Sequence, residues 1–354
     1  MSYRIGALVL GLVCIALGAA FVHAAGGPEP LWAYGFLTPP APGDAAPPQG
    51  APTRNLRPNE DPVEQTKMRH VAGSGAEYSL VDVRDGSNVI DWLPTDHPTP
   101  MPDIIKHGPV AMGAAKRGCG SCHLPNGKGR PENAPPGGLP VAYFVRQIQD
   151  FRSGLRHSAD PRKANTNTMI ALAKAMTDQE IRESAEYFAA VTWKAQWVKV
   201  VETDMVPKTR IEGNLFIKLE EVRSEPIAGR IIEVPEDTEQ AELLRNPHSG
   251  FVAYVPVGSV AKGQNLVTTG GAHIEGDKIV PGKTTACGIC HGADLTGIAD
   301  VPPIAGRSPS YIARQLYDIQ QGTRNGASAQ LMKPIVANLT GDDIIAISAY
   351  VAGR

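Results

Sequence analysis

Two pentapeptides hold the residues of this chain that can do chemistry: Cys119-Gly120-Ser121-Cys122-His123 and Cys287-Gly288-Ile289-Cys290-His291. Two thiols separated by two residues can add to the two vinyl groups on one edge of a porphyrin, if the chain turns tightly between them. The histidine that follows then lies under the iron, where an imidazole nitrogen can bind as proximal ligand. This is the attachment pattern of c-type haem. A four-cysteine zinc site brings its two pairs within roughly 15–20 residues of each other. Here almost half the chain separates Cys122 from Cys287, and a histidine follows each pair. A lone Cys-x-x-Cys can also be a redox dithiol, but that role gives no reason for the repeated histidine. The spacing points to two covalently bound haem c groups, with Cys119, Cys122, Cys287 and Cys290 as attachment points and His123 and His291 as iron ligands. The chain has 5 cysteines. The fifth, Cys14, lies in an N-terminal apolar run with no leucine three places before it, which speaks against a lipid-anchor site. None remains for a structural disulfide or a thiolate ligand.

The flanks of the two motifs repeat. The offset from Cys119 to Cys287 also relates Tyr143 to Tyr311, Arg146 to Arg314, Gln147 to Gln315, Asp150 to Asp318, Gly154 to Gly322 and Arg156 to Arg324. Beyond these the offset shortens by five residues: Met169 then answers Met332, Met176 answers Leu339 and Tyr187 answers Tyr350. The chain therefore holds two copies of one haem-binding unit, the first with the longer loop.

The repeated unit resembles the class I cytochromes c, in particular their two-haem, tandem-domain members. The resemblance rests on the two haem motifs, on Pro302-Pro303-Ile304-Ala305-Gly306 after the second, and on a methionine shortly before each last helix. Pro135-Pro136-Gly137-Gly138-Leu139 is a looser version of the proline segment in the first copy. The resemblance implies a mainly α fold: two class I cytochrome c-like helical haem domains joined by a small β-rich insert. It implies Met169 and Met332 as the sixth iron ligands, with Met176 the competitor in the first copy. It also implies that the carbonyls of Pro302 and Pro135 accept the other N–H of the proximal histidines, a bond that fixes the ring and tunes the iron. Two roles are open to Arg146 and Arg314, binding the haem propionates or forming a helix-packing salt bridge.

At 354 residues the chain has room for two or three domains. The formal net charge is −2, so charge alone implies no nucleic-acid partner. Aromatic residues make up only 6%, so the cores are thin, and a buried porphyrin would supply apolar surface that small domains lack. Residues 1–25 have a positive flank at Arg4 and an apolar run, the pattern of an export signal. The run is also close to the length of a membrane span, so a retained anchor is the other reading. Residues 26–66 form a Pro/Ala-rich tether of polyproline character. Residues 67–194 hold the first haem domain. Its approach carries a short strand over Tyr78–Val83 and a proline-broken extended segment in which His97, Met101 and His107 are read as packed or exposed rather than iron-bound. A capping box at Thr177 and Glu180 opens its last helix. Residues 195–258 read as a β-rich linker or insert, and residues 259–354 as the second haem domain, with Thr340 and Asp343 capping its last helix.

The expected function is that of a periplasmic electron carrier, soluble or anchored to the inner membrane. It would pass single electrons between a respiratory or dehydrogenase donor and an acceptor, through redox partner proteins. Two other readings stand beside it. A two-haem redox enzyme, of the peroxidase or sulfur-compound dehydrogenase type, needs one iron with an open or replaceable ligand. A cytochrome subunit of a membrane dehydrogenase would be held by the tether. A methionine candidate in both copies and the lack of a spare cysteine favour the carrier.

Overall fold

The structure, a computed structural model, describes residues 60–354 except 162, 195–196, 213–214 and 220–223. The export or anchor segment and nearly all of the tether lie outside the described residues.

The second haem unit is built on three helices: α4 (Ser259–Thr269), α5 (Pro309–Gln320) and α6 (Gly341–Ala352). Helices α4 and α6 cross closely because Gly263 faces α6. A Cβ there would come within 1.9 Å of the Ala346 carbonyl oxygen. Leu266 and Val267 of α4 meet Ile344, Ile347 and Val351 of α6 in one apolar core. Helix α6 starts at a capping box in which the Thr340 side chain accepts from the Asp343 amide and the Asp343 carboxylate accepts from the Thr340 amide, so two orphan donors are satisfied reciprocally. The same carboxylate lies 2.7 Å from Lys283 and 2.9 Å from Lys262. Burial works to raise the Asp343 pKa, but these lysines and the Thr340 amide outweigh it and hold the carboxyl well below its usual range. A depressed folded-state pKa gives stability that is present above the unfolded value, about 3.9, and is lost as pH falls below it. Asp343→Ala should lower stability at neutral pH by about 1–3 kcal/mol and flatten the loss of melting temperature below about pH 4. Thermal melts across that range check both.

The first unit keeps two counterparts, α1 (Val141–Ser153) and α3 (Asp178–Ala189), and carries one continuous helix, α2 (Ala164–Ala175), where the second unit has the short segments Ala327–Leu331 and Lys333–Val336. It has no counterpart of α4. The Cys119 amide donates to the Ile104 carbonyl as the Cys287 amide donates to that of Val267, and the stretch before Ile104 carries Pro98, Pro100 and Pro102, which remove backbone donors and break a helix. Ile104 and Ile105, on the short helix Asp103–Lys106, fill the place instead and pack against Ile181, Ala185 and Phe188 of α3. The strand expected over Tyr78–Val83 is a short helix, Leu80–Val83. Ser79 and Asp82 form a capping box that outweighs the β-type composition. His97 is buried with both ring nitrogens taken, by Asp91 and by the Pro98 carbonyl.

Between the units, β1 (Val198–Glu202), β2 (Ile232–Pro235) and β3 (Phe251–Val255) form one sheet in the order β1-β3-β2. Strands β1 and β3 are parallel, with Val198 opposite Phe251, and β2 and β3 antiparallel, with Ile232 opposite Tyr254. The sheet joins the second unit through Glu233 of β2, which accepts from Ser308 and Ser310 at the start of α5. The segment from β2 to β3 reaches the other way and straps the first unit. The Leu244 carbonyl accepts from Trp92 Nε1 at 2.8 Å, Glu242 pairs with Arg130 at 2.7 Å, and Arg245 donates to the Ser121 carbonyl at 3.3 Å.

Candidate haem sites

Both motifs form one helical turn, Gly120–His123 and Gly288–His291. The His123 amide donates to the Cys119 carbonyl at 3.0 Å, and the His291 amide to the Cys287 carbonyl at 2.9 Å. The chain leaves each histidine with positive φ, +61° at Leu124 and +85° at the equivalent Gly292, and turns back under the imidazole. His123 Nδ1 lies 2.6 Å from the Ala134 carbonyl oxygen, and His291 Nδ1 2.8 Å from that of Pro302. A carbonyl can only accept, so Nδ1 carries the proton and Nε2 is the nitrogen left with a lone pair. Burial is the main cause that holds both imidazoles below the usual histidine pKa, in the neutral form that iron ligation requires.

Pro135 does not have the place expected for it. Its carbonyl accepts from Arg307 of the second unit, while Ala134 takes the bond to His123. The imidazole needs a carbonyl at one loop position and is indifferent to the side chain there. The repeat offset pointed to this residue, since Ala134 answers Pro302 and Pro135 answers Pro303.

Met169 lies within α2 and lines the same cleft as His123. Leu139, Phe144, Ile148 and Phe151 give that cleft an apolar lining, and Arg156, Lys163 and Arg314 add positive charge to it. Met176 is buried against the first core, as Leu339 is against the second. Met332 sits between two short helical segments, Ala327–Leu331 and Lys333–Val336, and packs with Cys287 against the second core.

Where the units meet, their repeated residues pair crosswise about a pseudo-two-fold axis. The His157 amide donates to the Thr323 carbonyl at 2.9 Å, and the equivalent Asn325 amide to the Leu155 carbonyl at 2.7 Å. Arg156 donates to Gln147 at 2.9 Å and Gln315 at 2.8 Å, while Arg324 donates to Gln315 at 3.2 Å and Gln147 at 2.8 Å. The repeat had marked both arginines, but not that they meet. Arg146 is partly exposed and pairs with Asp300 of the other unit at 3.2 Å. Arg314 is buried and donates to the Pro131 carbonyl at 2.6 Å.

Among the described residues, Arg156, Arg307, Arg324 and Lys163 make no carboxylate salt bridge, and Arg307 Nε, Arg146 Nε and Lys163 Nζ are buried without a hydrogen-bond partner. Buried charges are normally paired, and Glu132, whose Oε2 is also buried without a partner, is the carboxylate that lines the cleft, so the described residues leave room here for further anions. Two carboxylates on each of two porphyrins fit that requirement.

The two motifs differ in cover. Ser121 is 8% exposed and Ile289, its counterpart, 68%. Cys122 is half-buried and Cys290 exposed. The strap and the N-terminal approach cover the first motif, and among the described residues neither has an equivalent over the second.

Cytochrome c4 of Pseudomonas aeruginosa is 27% identical to this chain over 251 residues, which make up 70% of this chain and 89% of the relative. Cytochrome c-554(548) of Halomonas halodenitrificans is 34% identical over 73 residues, 20% of this chain and 88% of the relative. The thiosulfate dehydrogenase electron acceptor of Stutzerimonas stutzeri is 36% identical over 91 residues, 25% of this chain and 37% of the relative. No family model matches. The repeated motifs and these relatives together place the chain in the class I cytochrome c family, as a two-haem electron carrier that binds both haem c groups covalently.

Proposed function

We propose that His123 and His291 bind the two irons through Nε2, that Met169 and Met332 complete the coordination, and that Cys119, Cys122, Cys287 and Cys290 carry the thioether links. The observation that carries this reading is the matched pair of Nδ1-to-carbonyl bonds, each made by a loop that returns to its own motif. When bound, the haem supplies a one-electron couple whose potential follows its axial ligands and its burial. The chain's part is to orient the imidazoles, exclude water from the cleft and offer cations to the propionates. Arg156, Arg307, Arg314 and Arg324 take that last role in this reading, and Arg146 holds the two units together through Asp300. The domain division follows the same lines: 67–194 and 259–354 bind one haem each, and 195–258 is the insert that straps the first to the second.

The compartment follows from the export-type segment at residues 1–25, which supports a periplasmic protein, either free or held at the inner membrane. Exposure of the second motif supports exchange with partner proteins at that haem. The relative named as an electron acceptor of thiosulfate dehydrogenase supports a dehydrogenase of a sulfur compound as the class of donor.

An alkaline pyridine assay with an absorption spectrum of the oxidised protein tests the reading. It should give two c-type haems per chain and the weak far-red band of methionine bound to ferric haem. A single haem, or two haems with no such band, would sink it. Turnover of peroxide by the unmodified protein would put the enzyme reading in its place.

A further inference from the structure

Lys163 occupies a position that works against local stability in three ways. Its side chain is buried, at 2% exposure for the residue, and an unpaired buried ammonium is costly. Its Nζ has no hydrogen-bond partner among the described residues. It also stands at the N-cap of α2, where the helix dipole disfavours a cation and where an amine cannot accept the free backbone N–H groups as a serine or aspartate would. The backbone is fixed there: the Lys163 amide donates to the Asp160 carbonyl at 3.1 Å, and the Lys163 carbonyl accepts from Thr166 at 3.0 Å. The side chain lines the cleft that holds His123 and Met169. The charged groups acting on it are Arg314, Glu132 and Asp318.

The second unit has nothing comparable. Lys163 belongs to the longer loop of the first copy. The corresponding stretch between Arg324 and Met332 reads Asn-Gly-Ala-Ser-Ala-Gln-Leu, with no basic residue.

We propose that Lys163 is a positioning residue that faces a propionate of the first haem and raises the reduction potential of that haem alone. The physical reason is electrostatic. Reduction removes one unit of positive charge from the iron, and a fixed cation in surroundings poor in water favours that change more than it would in solvent. The propionate supplies the direct partner that Lys163 Nζ lacks among the described residues, where Glu132 and Asp318 act on it without bonding to it. The two haems, alike in their ligands, are thereby made unequal, which biases where a single electron rests. Burial is the main cause that lowers the Lys163 pKa, to about 7, and a carboxylate beside the amine would keep it charged.

This inference rests on the two-haem reading, and optical redox titration of Lys163→Gln, Lys163→Met and Lys163→Arg tests it separately. The haems are covalently held, so both waves stay visible in every variant. The Gln and Met variants should move one wave to lower potential by about a tenfold change in its reduction constant, ~59 mV for one electron. The other wave should stay put, and Arg should restore the shifted one. Met332→Ala identifies the second haem's wave, and the wave that Lys163 controls must be the other. Failure to find two haems would overturn the reading underneath. Two haems whose waves both stay in place, or move together, in the Gln and Met variants would overturn the role of Lys163 alone, as would a shift confined to the second haem.

Discussion

Met332→Ala is expected to open the second iron. Removal of the thioether leaves a position that water or an added ligand can take, and carbon monoxide or cyanide should then bind where the parent resists them. The potential of that haem should fall, because methionine opposite histidine raises it. Axial ligand choice moves haem potentials over about 0.8 V, so this drop should exceed the effect of any second-sphere residue, Lys163 included. Helical content should change little, since Met332 sits between two short segments and borders the core rather than filling it. Met169→Ala should do the same to the first haem. Met176→Ala should instead cost about 2–5 kcal/mol of stability, as buried methionine-to-alanine changes do, without ligand binding. A Met332→Ala protein that keeps its far-red band and refuses carbon monoxide would remove Met332 from the coordination sphere.

What the sequence disclosed and what it hid divide along physical lines. The two haem motifs and the capping boxes at Thr177 and Thr340 are local chemistry, fixed by residues a few positions apart, and they were legible. So was the pattern that α1 and α5 share, because an internal repeat needs no knowledge of the rest of the chain. Tyr78–Val83 looked like a strand by composition, and a capping box three residues wide made it a helix. Pro135 drew attention as a proline, whereas the site needs only a carbonyl oxygen, which Ala134 supplies. In that case the repeat offset was the better guide than the motif.

Non-local pairing was out of reach. Nothing in Val198–Glu202 indicates that it lies parallel to Phe251–Val255, because the partner is set by the docking of both against the units on either side. The crosswise bonds of Arg156 and Arg324 depend on how two folded units meet, and a repeat shows equivalence without showing contact. The difference in cover between Ser121 and Ile289 is likewise a product of the strap, whose path over the first unit depends on Trp92, Arg130 and Arg245 finding partners far along the chain.

The joint between the units gives the second large prediction its form. Cys287→Ala with Cys290→Ala should remove one haem from the mass of the mature protein and leave one. Losing a single large buried aromatic costs about 3–5 kcal/mol, and a porphyrin is larger than any side chain. Helices α4, α5 and α6 should therefore lose their fixed packing, seen as a fall in helical circular dichroism and in the melting temperature. The first haem should stay bound through Cys119 and Cys122 and keep its methionine band, because His123, Ala134 and Met169 all belong to the first unit. Its potential should nevertheless change. Arg307, Arg314 and Arg324 all come from α5 or its flanks, and they bond to Pro135, Pro131, Tyr143 and Gln147 of the first unit. Their displacement would remove positive charge from the region of the first haem's propionates, and a fall in its potential is the expected sign. Loss of both haems together would mean that the copies are not separate binding units. An unchanged potential at the surviving haem would mean that the arginines at the joint hold the fold together and leave the electron's energy untouched.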